Sequence, residues 1–166
     1  MDFSIWAGER VMNPQGSAYP APSSAAVTAL MRSNSSRVSR PEINLRKALH
    51  SSGLRFRKNY SVETCGLRVN IDIAFPKARL AVFVDGCFWH GCGLHGNQPR
   101  VNQAYWRRKL SGNVERDRRV DSCLALDGWR VLRLWEHVSC DDAVAQVAEV
   151  LRGPNGDGNA SPLPPA

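Results

Sequence analysis

Residues 80–95 constrain the fold of this chain more than any other segment, because a strand leads directly into a dense group of side chains that can bind metals. Residues 80–84 are an apolar run with the length of a buried strand, and an acid and a glycine follow them. The dense group comprises Cys87, Phe88, Trp89, His90, Cys92 and His95. Two cysteines, two histidines and two adjacent aromatic residues predict a functional site at the end of this strand.

Three of these side chains have the spacing of a structural zinc site. The pattern Cys-x4-Cys-x2-His places Cys87, Cys92 and His95 in one loop, and structural zinc takes four nitrogen or sulfur ligands in a tetrahedron. Candidates for the fourth ligand are His137, Cys140 and Cys65. We favour His137, because a residue at the end of a strand is held more rigidly than one on a connecting loop. The alternative is that the two cysteines are packed thiols that bind no metal.

The cysteine count and the apolar pattern limit the class of protein. Five cysteines, an odd number, argue against the disulfide framework of a secreted domain, so a metal site in a reducing cytoplasm is the better interpretation. No apolar run reaches the length of about 18 residues expected of a transmembrane helix. The N-terminus lacks the charged and apolar regions of a secretory signal. We therefore expect a cytoplasmic protein that does not contact the membrane.

Composition divides the 166 residues into three parts. Residues 1–24 are rich in alanine, serine, proline and glycine and are predicted to be a flexible leader. Residues 25–152 are predicted to form one domain, which starts with a short helix within residues 25–36. Residues 153–166 are predicted to be a disordered tail.

The first half of the domain is predicted to contain a helix and a β-hairpin. The capping-box pattern from Ser39 to Glu42 predicts the start of a helix that ends near Gly53. Residues 67–75 alternate between apolar and polar side chains, and residues 80–84 are predicted to pair with them. The side chains predicted to share one face of the first strand are Leu67, Val69, Ile71, Ile73 and Phe75.

The second half is predicted to add helices around a further strand. A helix over residues 103–110 is predicted to break at Gly112 and Asn113, with a second helix after the break. Residues 129–135 are mostly apolar and predict a strand at the centre of the sheet. Residues 141–151 predict a final amphipathic helix. This order of elements predicts a mixed α/β sandwich.

Two acids and a histidine near the strand ends suggest chemistry on phosphate. Asp72 lies on the first hairpin strand, Asp85 follows the second, and His90 comes shortly afterwards. Neighbouring carboxylates can hold Mg²⁺, which favours oxygen ligands and phosphate, and a neutral histidine can accept a proton from attacking water. The alternative is that Asp72 only forms a salt bridge with Arg68 or Arg79.

The net charge of +7 and the clustered arginines indicate a nucleic-acid partner. The arginines expected to contact DNA phosphates are Arg107, Arg108, Arg116 and Arg119. In a basic protein, Phe88, Trp89 and Trp106 can stack on bases or wedge between them. The alternatives are a merely solvated basic surface and aromatic side chains that belong to the core.

These residues together resemble the very-short-patch repair (Vsr) DNA mismatch endonucleases over residues 31–151. The most specific motif is Phe83-Val-Asp-Gly-Cys-Phe-Trp-His-Gly-Cys92, and Arg116-Asp-Arg118 with Gly128-Trp-Arg-Val-Leu-Arg-Leu-Trp-Glu136 supports it. The resemblance implies a restriction-endonuclease-like fold, with a central mixed sheet flanked by helices and a structural Zn²⁺. It also implies Mg²⁺-dependent nicking of one DNA strand on the 5′ side of the T in a T:G mismatch, which arises when 5-methylcytosine deaminates.

The resemblance also assigns roles to individual residues. It places the principal Mg²⁺ ligand on Asp72 and a second ligand on the carbonyl of Val84. It places the catalytic histidine on His90 and a further catalytic acid on Glu42, in the N-terminal helix. The implied zinc ligands are Cys87, Cys92, His95 and His137. The side chains implied to open the duplex are Phe88, Trp89, Trp106 and Met31.

This chain departs from the best-known members of the family at three positions. Asp85 stands where they have a second histidine, so we expect it to assist the metal or to orient His90. The last zinc ligand is His137 rather than a cysteine, which preserves the ligand chemistry. The Asp…(Asp/Glu)-x-Lys pattern of restriction enzymes is incomplete, because Cys87 stands at the position of the lysine.

We therefore expect a monomeric nicking endonuclease that acts on double-stranded DNA with a T:G mismatch. The resemblance implies a functional link to a cytosine-5 DNA methyltransferase and a prokaryotic, nucleoid-associated location. One alternative is a zinc-stabilised DNA-binding module without catalysis. Another is the same nuclease fold acting on other DNA in a restriction or defence system.

Overall fold

The computed structural model of the protein describes residues 39–96 and 99–153. The predicted leader, the short helix within residues 25–36 and most of the predicted tail lie outside the described residues. The chain separates into two compact units. They are Met1–Val38 with Gln98–Arg107, and Ser39–Asn97 with Arg108–Ala166. The sheet belongs to the second unit. None of the described helices is both long and apolar enough to cross a membrane.

The described elements include the predicted helix capped by Ser39, the hairpin, the further strand and the final helix in that order, and they add a strand before the hairpin. They are α1 (Arg40–Ser51), β1 (Arg57–Thr64), β2 (Leu67–Phe75), a 3-10 turn (Pro76–Ala78), β3 (Leu80–Asp85), α2 (Gln103–Leu126), β4 (Arg130–Trp135) and α3 (Cys140–Arg152). The predicted start of α1 is confirmed, since the Ser39 hydroxyl accepts a hydrogen bond from the Glu42 backbone N–H at 3.3 Å. The carboxylate of Glu42 pairs with Arg46 one turn further on.

The four described strands form one mixed sheet in the order β1-β2-β3-β4. The first three strands are antiparallel, and β4 runs parallel to β3. The prediction that β4 is central was wrong, because it lies at one edge of this sheet. Its apolar sequence reflects cover on both faces: Leu132 and Leu134 pack against one core cluster and Val131 against the other.

Helices cover both faces of the sheet. The first core cluster joins the sheet to α1 and α3; its buried members are Leu45, Leu49, Ile73, Phe75, Leu80, Val82, Leu134, Ala143 and Val147. The second cluster joins the sheet to α2; its buried members are Val69, Ile71, Ala74, Ala81, Phe83 and Leu124. The predicted mixed α/β class, with a sheet flanked by helices, is therefore confirmed.

The apolar face of β2 changes at Asp72, which corrects the prediction of one continuous face. Val69 and Ile71 pack in the second cluster, whereas Ile73 and Phe75 pack in the first. A regular strand would keep all four side chains on the same side of the sheet. The strand is therefore distorted at its acid.

A contact from α1 accompanies this distortion. Asn59 of β1 has a φ of 49°, in the left-handed region, and the expected pair between Asn59 and Asp72 is missing from the register of β1 and β2. The Arg46 guanidinium donates to the side-chain oxygen of Asn59 and to the carbonyl oxygen of Asp72, both at 2.9 Å. It thereby supplies the Asp72 carbonyl with a donor where strand pairing does not.

Helix α2 is continuous through Gly112 and Asn113, so the predicted break there was wrong. A glycine inside a helix costs about 1 kcal/mol relative to alanine, which tertiary packing can offset. The buried side chain of Leu124 anchors the helix on the second cluster. The Asn113 side chain donates to the carbonyl oxygen of Trp89 at 3.0 Å, so its polar group serves a tertiary contact rather than a turn.

Candidate active site and metal centre

The structure brings together four side chains that can hold a metal ion. They are Cys87, Cys92, His95 and His137, and one ligand atom from each lies within 4.8 Å of all the others. The Cys87 sulfur lies 3.0 Å from His137 Nδ1, and the Cys92 sulfur lies 3.9 Å from His95 Nδ1. Zinc–ligand bonds of ordinary length separate tetrahedral ligands by about 3.3 to 3.8 Å. The distances and the donor atoms therefore suit a tetrahedral cation.

The loop after β3 and the end of β4 shape this cluster. The Cys92 N–H donates to the Cys87 carbonyl at 3.1 Å, which folds the loop back on itself. A Cβ on Gly96 would lie 2.4 Å from the Cys92 carbonyl oxygen, so this turn requires glycine. Glu136 Oε1 accepts a hydrogen bond from the Cys87 N–H at 2.7 Å and ties the loop to β4. Parallel pairing of β3 and β4 thus brings distant segments to one cluster.

Burial and the neighbouring Cys92 thiol raise the pKa of the Cys87 thiol to about 11. A cation held by the cluster would oppose this effect, because ligation requires the thiolate. Two cysteines considered from the sequence lie outside the cluster. Cys65 is exposed in the β1–β2 turn, and Cys140 begins α3.

Asp72 and Glu42 are two acids with raised pKa values. The Asp72 carboxylate accepts a hydrogen bond from the Val84 N–H at 3.0 Å, where the β2–β3 ladder has ended. Burial raises the pKa of Asp72, and nearby Asp85 adds to this rise. Burial and the charge of Asp72 raise the pKa of Glu42. Neighbouring carboxylates that resist ionisation favour a bound cation, which would relieve both burial and repulsion.

The salt bridge considered as an alternative for Asp72 does not involve Arg79, whose guanidinium donates to the carbonyl of Asp127 at 2.6 Å. Among the described residues, Asp72, Asp85 and Glu42 do not form a group as compact as the cysteine and histidine cluster. A cation there would take its remaining ligands from water, backbone or substrate oxygens, as Mg²⁺ commonly does.

His90 forms a close pair with Asp117 of α2. Its Nδ1 lies 2.6 Å from Asp117 Oδ2 and 3.6 Å from Asp85 Oδ1. Burial alone would raise the pKa of Asp117, but the hydrogen bond with His90 and the charge of Arg133 outweigh it and lower that pKa. Asp117 therefore remains an anion that can hold the Nδ1 proton of His90. This leaves Nε2 as the ring atom that can accept a proton.

Sequence reasoning missed Asp117 and Arg133 as parts of this site. Arg133 lies between leucines in a mostly apolar strand, where an unpaired guanidinium would be costly, so its position already indicated a nearby acid. Asp117 and Asp121 stand four residues apart on α2 and therefore share one face of that helix. These two signals together could have indicated a buried ionic group between α2 and β4.

The aromatic and basic side chains expected to contact DNA occupy both units. In the second unit, the rings of Phe88 and Trp89 meet edge to face with centroids 4.9 Å apart, and Trp89 is 41% exposed. Arg108, Arg116 and Arg119 are exposed on α2. In the first unit, the exposed Arg107 follows the half-buried Tyr105 and Trp106, whose rings also meet edge to face. Met31 lies outside the described residues.

Comparison with known proteins shows to which class of protein this chain belongs. The chain is 45% identical over 151 residues to the Type II nicking enzyme V.NaeI of Lentzea aerocolonigenes, covering 90% of this chain and 91% of that protein. It is 43% identical to V.XorIIP of Xanthomonas oryzae over 64% of this chain and 76% of the relative. It is 38% identical to the DNA mismatch endonuclease Vsr of Escherichia coli over 64% and 66%. The protein is a DNA endonuclease.

The family follows from the same comparisons. Residues 23–95 match the family described as DNA mismatch endonuclease Vsr, and the relatives extend the match across most of the chain. The chain belongs to the Vsr family of DNA mismatch endonucleases, as its sequence motifs predicted. This result favours an endonuclease over a DNA-binding module without catalysis, and it identifies DNA as the substrate.

Proposed function

We propose that this protein nicks one strand of duplex DNA on the 5′ side of the T in a T:G mismatch, in very short patch repair. The observation that carries this proposal is the pairing of His90 with Asp117 near two acids, the buried Asp85 and the half-buried Asp72. A proton acceptor and carboxylates are the groups that hydrolysis of a phosphodiester with a metal ion requires. The proposal includes a restriction-endonuclease-like fold in a domain over residues 25–152.

Asp72 and the carbonyl of Val84 would hold Mg²⁺, which would stabilise the charge that develops on the scissile phosphate. His90 accepts a proton from the attacking water through Nε2, while Asp117 holds Nδ1–H and stabilises the imidazolium that results. Glu42 adds a second anion near Asp72. Because His90 accepts the proton, the site does not need the lysine that is missing from the restriction-type pattern.

The cluster of Cys87, Cys92, His95 and His137 would hold Zn²⁺ in a structural role. Four protein ligands leave no open coordination position for substrate or water, unlike catalytic zinc sites. The loop that they fix contains Phe88, Trp89 and His90. The zinc would therefore position the general base and the aromatic side chains, and it would not take part in the reaction.

Aromatic side chains would supply part of the preference for a mismatch. Unstacking a base step costs a few kcal/mol, and less at a mispair, so a wedge enters there more readily. We assign this wedge to Phe88, Trp89 and Trp106, with Met31 at the other groove. Contacts with the phosphates come from Arg107, Arg108, Arg116 and Arg119. The enzyme would work as a monomer, alongside a cytosine-5 DNA methyltransferase.

A second candidate function is nicking of other DNA in a restriction or defence system. The relatives named Type II nicking enzymes favour it, since V.NaeI matches 91% of its length with this chain. Both candidates use the same residues for hydrolysis. They differ in the base pair that triggers cleavage.

A panel of labelled duplexes separates the two functions. The duplexes share one sequence and carry T:G, T:A, C:G, methylated C:G or another mismatch at a single position, with Mg²⁺ present. We expect nicking of the T-containing strand in the T:G duplex to exceed that of the matched duplexes by at least about tenfold, a difference of roughly 1.4 kcal/mol. Equal rates on matched and T:G duplexes would overturn the repair assignment while leaving an endonuclease.

A further inference from the structure

Arg133 of β4 binds three aspartates that come from two other elements. Its Nη1 donates to both carboxylate oxygens of Asp85, at 2.9 and 3.0 Å. Its Nε donates to both oxygens of Asp121, at 3.1 and 2.9 Å, and Nη2 donates to one of these oxygens at 2.9 Å. Nη2 also lies 3.8 Å from Asp117 Oδ1 and 3.5 Å from the Asp117 carbonyl oxygen. One guanidinium therefore joins β3, β4 and α2.

The surroundings of Arg133 hold it in one orientation. Its side chain is 12% exposed, and its guanidinium lies 4.7 Å from the centre of the Phe83 ring. The hydrogen bond with Asp121 and the negative charges of Asp85, Asp121 and Asp117 raise the pKa of Arg133 despite its burial. A largely buried, multiply bonded guanidinium over an aromatic ring does not exchange partners easily, because its release would leave the buried carboxylate of Asp85 without this cation.

Two carboxylates compete for one proton of His90. Asp117 Oδ2 lies 2.6 Å from Nδ1, and Asp85 Oδ1 lies 3.6 Å from the same atom. Asp85 already accepts a hydrogen bond from Arg133 at each of its oxygens, including the one that faces His90, which makes it a weaker acceptor for the His90 proton. His90 makes its short contact with Asp117 instead, and Arg116 donates to the other Asp117 oxygen, Oδ1, at 3.0 Å.

We propose that Arg133 is a positioning residue: it retains Asp85, so that His90 directs its Nδ1–H to Asp117 and keeps Nε2 free to accept a proton. The same contacts keep Asp85 from serving as a metal ligand, which assigns a purpose to the aspartate that replaces the family's second histidine. The proposal rests on the role assigned to His90 under the proposed function. In this role Arg133 acts through Asp85 and His90 and not on the reacting atoms.

The test compares Arg133→Lys with Arg130→Lys, a matched change on the same strand. Arg130 donates to the carbonyl oxygens of Val150 and Ala78, so it serves the fold at a distance from His90. We expect Arg133→Lys to lower kcat for the T:G duplex roughly 10- to 100-fold with an unchanged KM, because a misplaced base slows chemistry without weakening binding. Arg130→Lys is expected to retain the wild-type kcat.

A nitrogen-15 spectrum of the His90 ring supplies the second readout and needs no catalysis. At mildly alkaline pH, wild type should show a proton on Nδ1 alone, and Arg133→Lys should show a mixture of the two neutral tautomers. Unchanged tautomers in Arg133→Lys, or equal losses of kcat in both lysine variants, would overturn the proposal. If Arg133→Lys does not fold, Asp121→Asn, which only loosens Arg133, should change the tautomers in the same direction.

This design separates the inference from the function on which it rests. If His90→Gln nicks the T:G duplex at the wild-type rate, the assignment of the general base is wrong. The tautomer result in that case still reports whether Arg133 controls the His90–Asp117 bond.

Discussion

The Asp72→Asn variant is expected to lose nicking of the T:G duplex and to melt at a higher temperature than the wild type. Asparagine keeps an oxygen for the Val84 N–H, which now bonds the carboxylate at 3.0 Å. It removes the charge that would bind Mg²⁺, so nicking should fall by more than about 100-fold, as happens when one electrostatic stabiliser of a transition state is lost. The melting temperature should rise because the folded state pays to hold this carboxylate ionised.

The pH dependence of this gain in melting temperature follows from the direction in which the pKa of Asp72 is shifted. Burial raises the pKa of Asp72 in the folded protein above its value in the unfolded chain. Above the folded pKa, the ionised carboxylate therefore opposes folding, and this cost disappears as the pH falls and the group binds a proton. The gain in melting temperature should be largest at neutral pH and should shrink in acid.

Thermal melts without added Mg²⁺, recorded from neutral to acidic pH, measure this effect. Each kcal/mol added to the free energy of unfolding should raise the melting temperature by about 2 to 4 °C in a chain of this size. Glu115→Gln is the control, because Glu115 is exposed on α2 and should affect neither melting nor nicking. If Asp72→Asn nicks the T:G duplex at the wild-type rate, the assignment of Asp72 to the catalytic site is wrong.

Removal of zinc is expected to unfold most of the domain. The cluster joins the loop after β3 to the turn after β4, and Cys87 and Cys92 are both buried. Binding of a structural zinc contributes on the order of 10 kcal/mol, which matches the whole stability of a typical domain. Without the metal, the loop that carries His90 would lose its anchor.

Cys92→Ser tests this expectation by removing one ligand. We expect less than one zinc per chain and loss of the cooperative thermal transition, measured by elemental analysis and circular dichroism. Cys65→Ser is the matched control, since Cys65 is an exposed thiol outside the cluster and should retain both zinc and the transition. A folded Cys92→Ser protein without zinc would show that the cluster is not structural.

Several elements could be predicted from local sequence signals. The Ser39 cap, the bounds of β2 and the start of β3 each depend on side chains within a few residues, so the pattern sufficed. The likeness to Vsr enzymes depends on a contiguous motif from Phe83 to Cys92, which a single sequence displays in full.

Other features depend on contacts between distant segments and were therefore missed. The face of β2 changes at Asp72 where Arg46 of α1 bonds its carbonyl, and no alternation of apolar residues encodes that contact. Helix α2 continues through Gly112, since tertiary packing of the helix can offset the small free-energy cost of a glycine in its interior. The His90–Asp117 bond joins residues 27 positions apart, so spacing could not reveal it.

We infer that residues 80–95 serve two metals with separate tasks: zinc for structure and Mg²⁺ for hydrolysis. The most direct measurement loads the purified protein with zinc and follows nicking of the T:G duplex as Mg²⁺ is added, with zinc content determined before and after. We predict no nicking with zinc alone, full nicking with Mg²⁺, and one zinc per chain throughout. Nicking without Mg²⁺, or loss of zinc as Mg²⁺ restores activity, would contradict the claim.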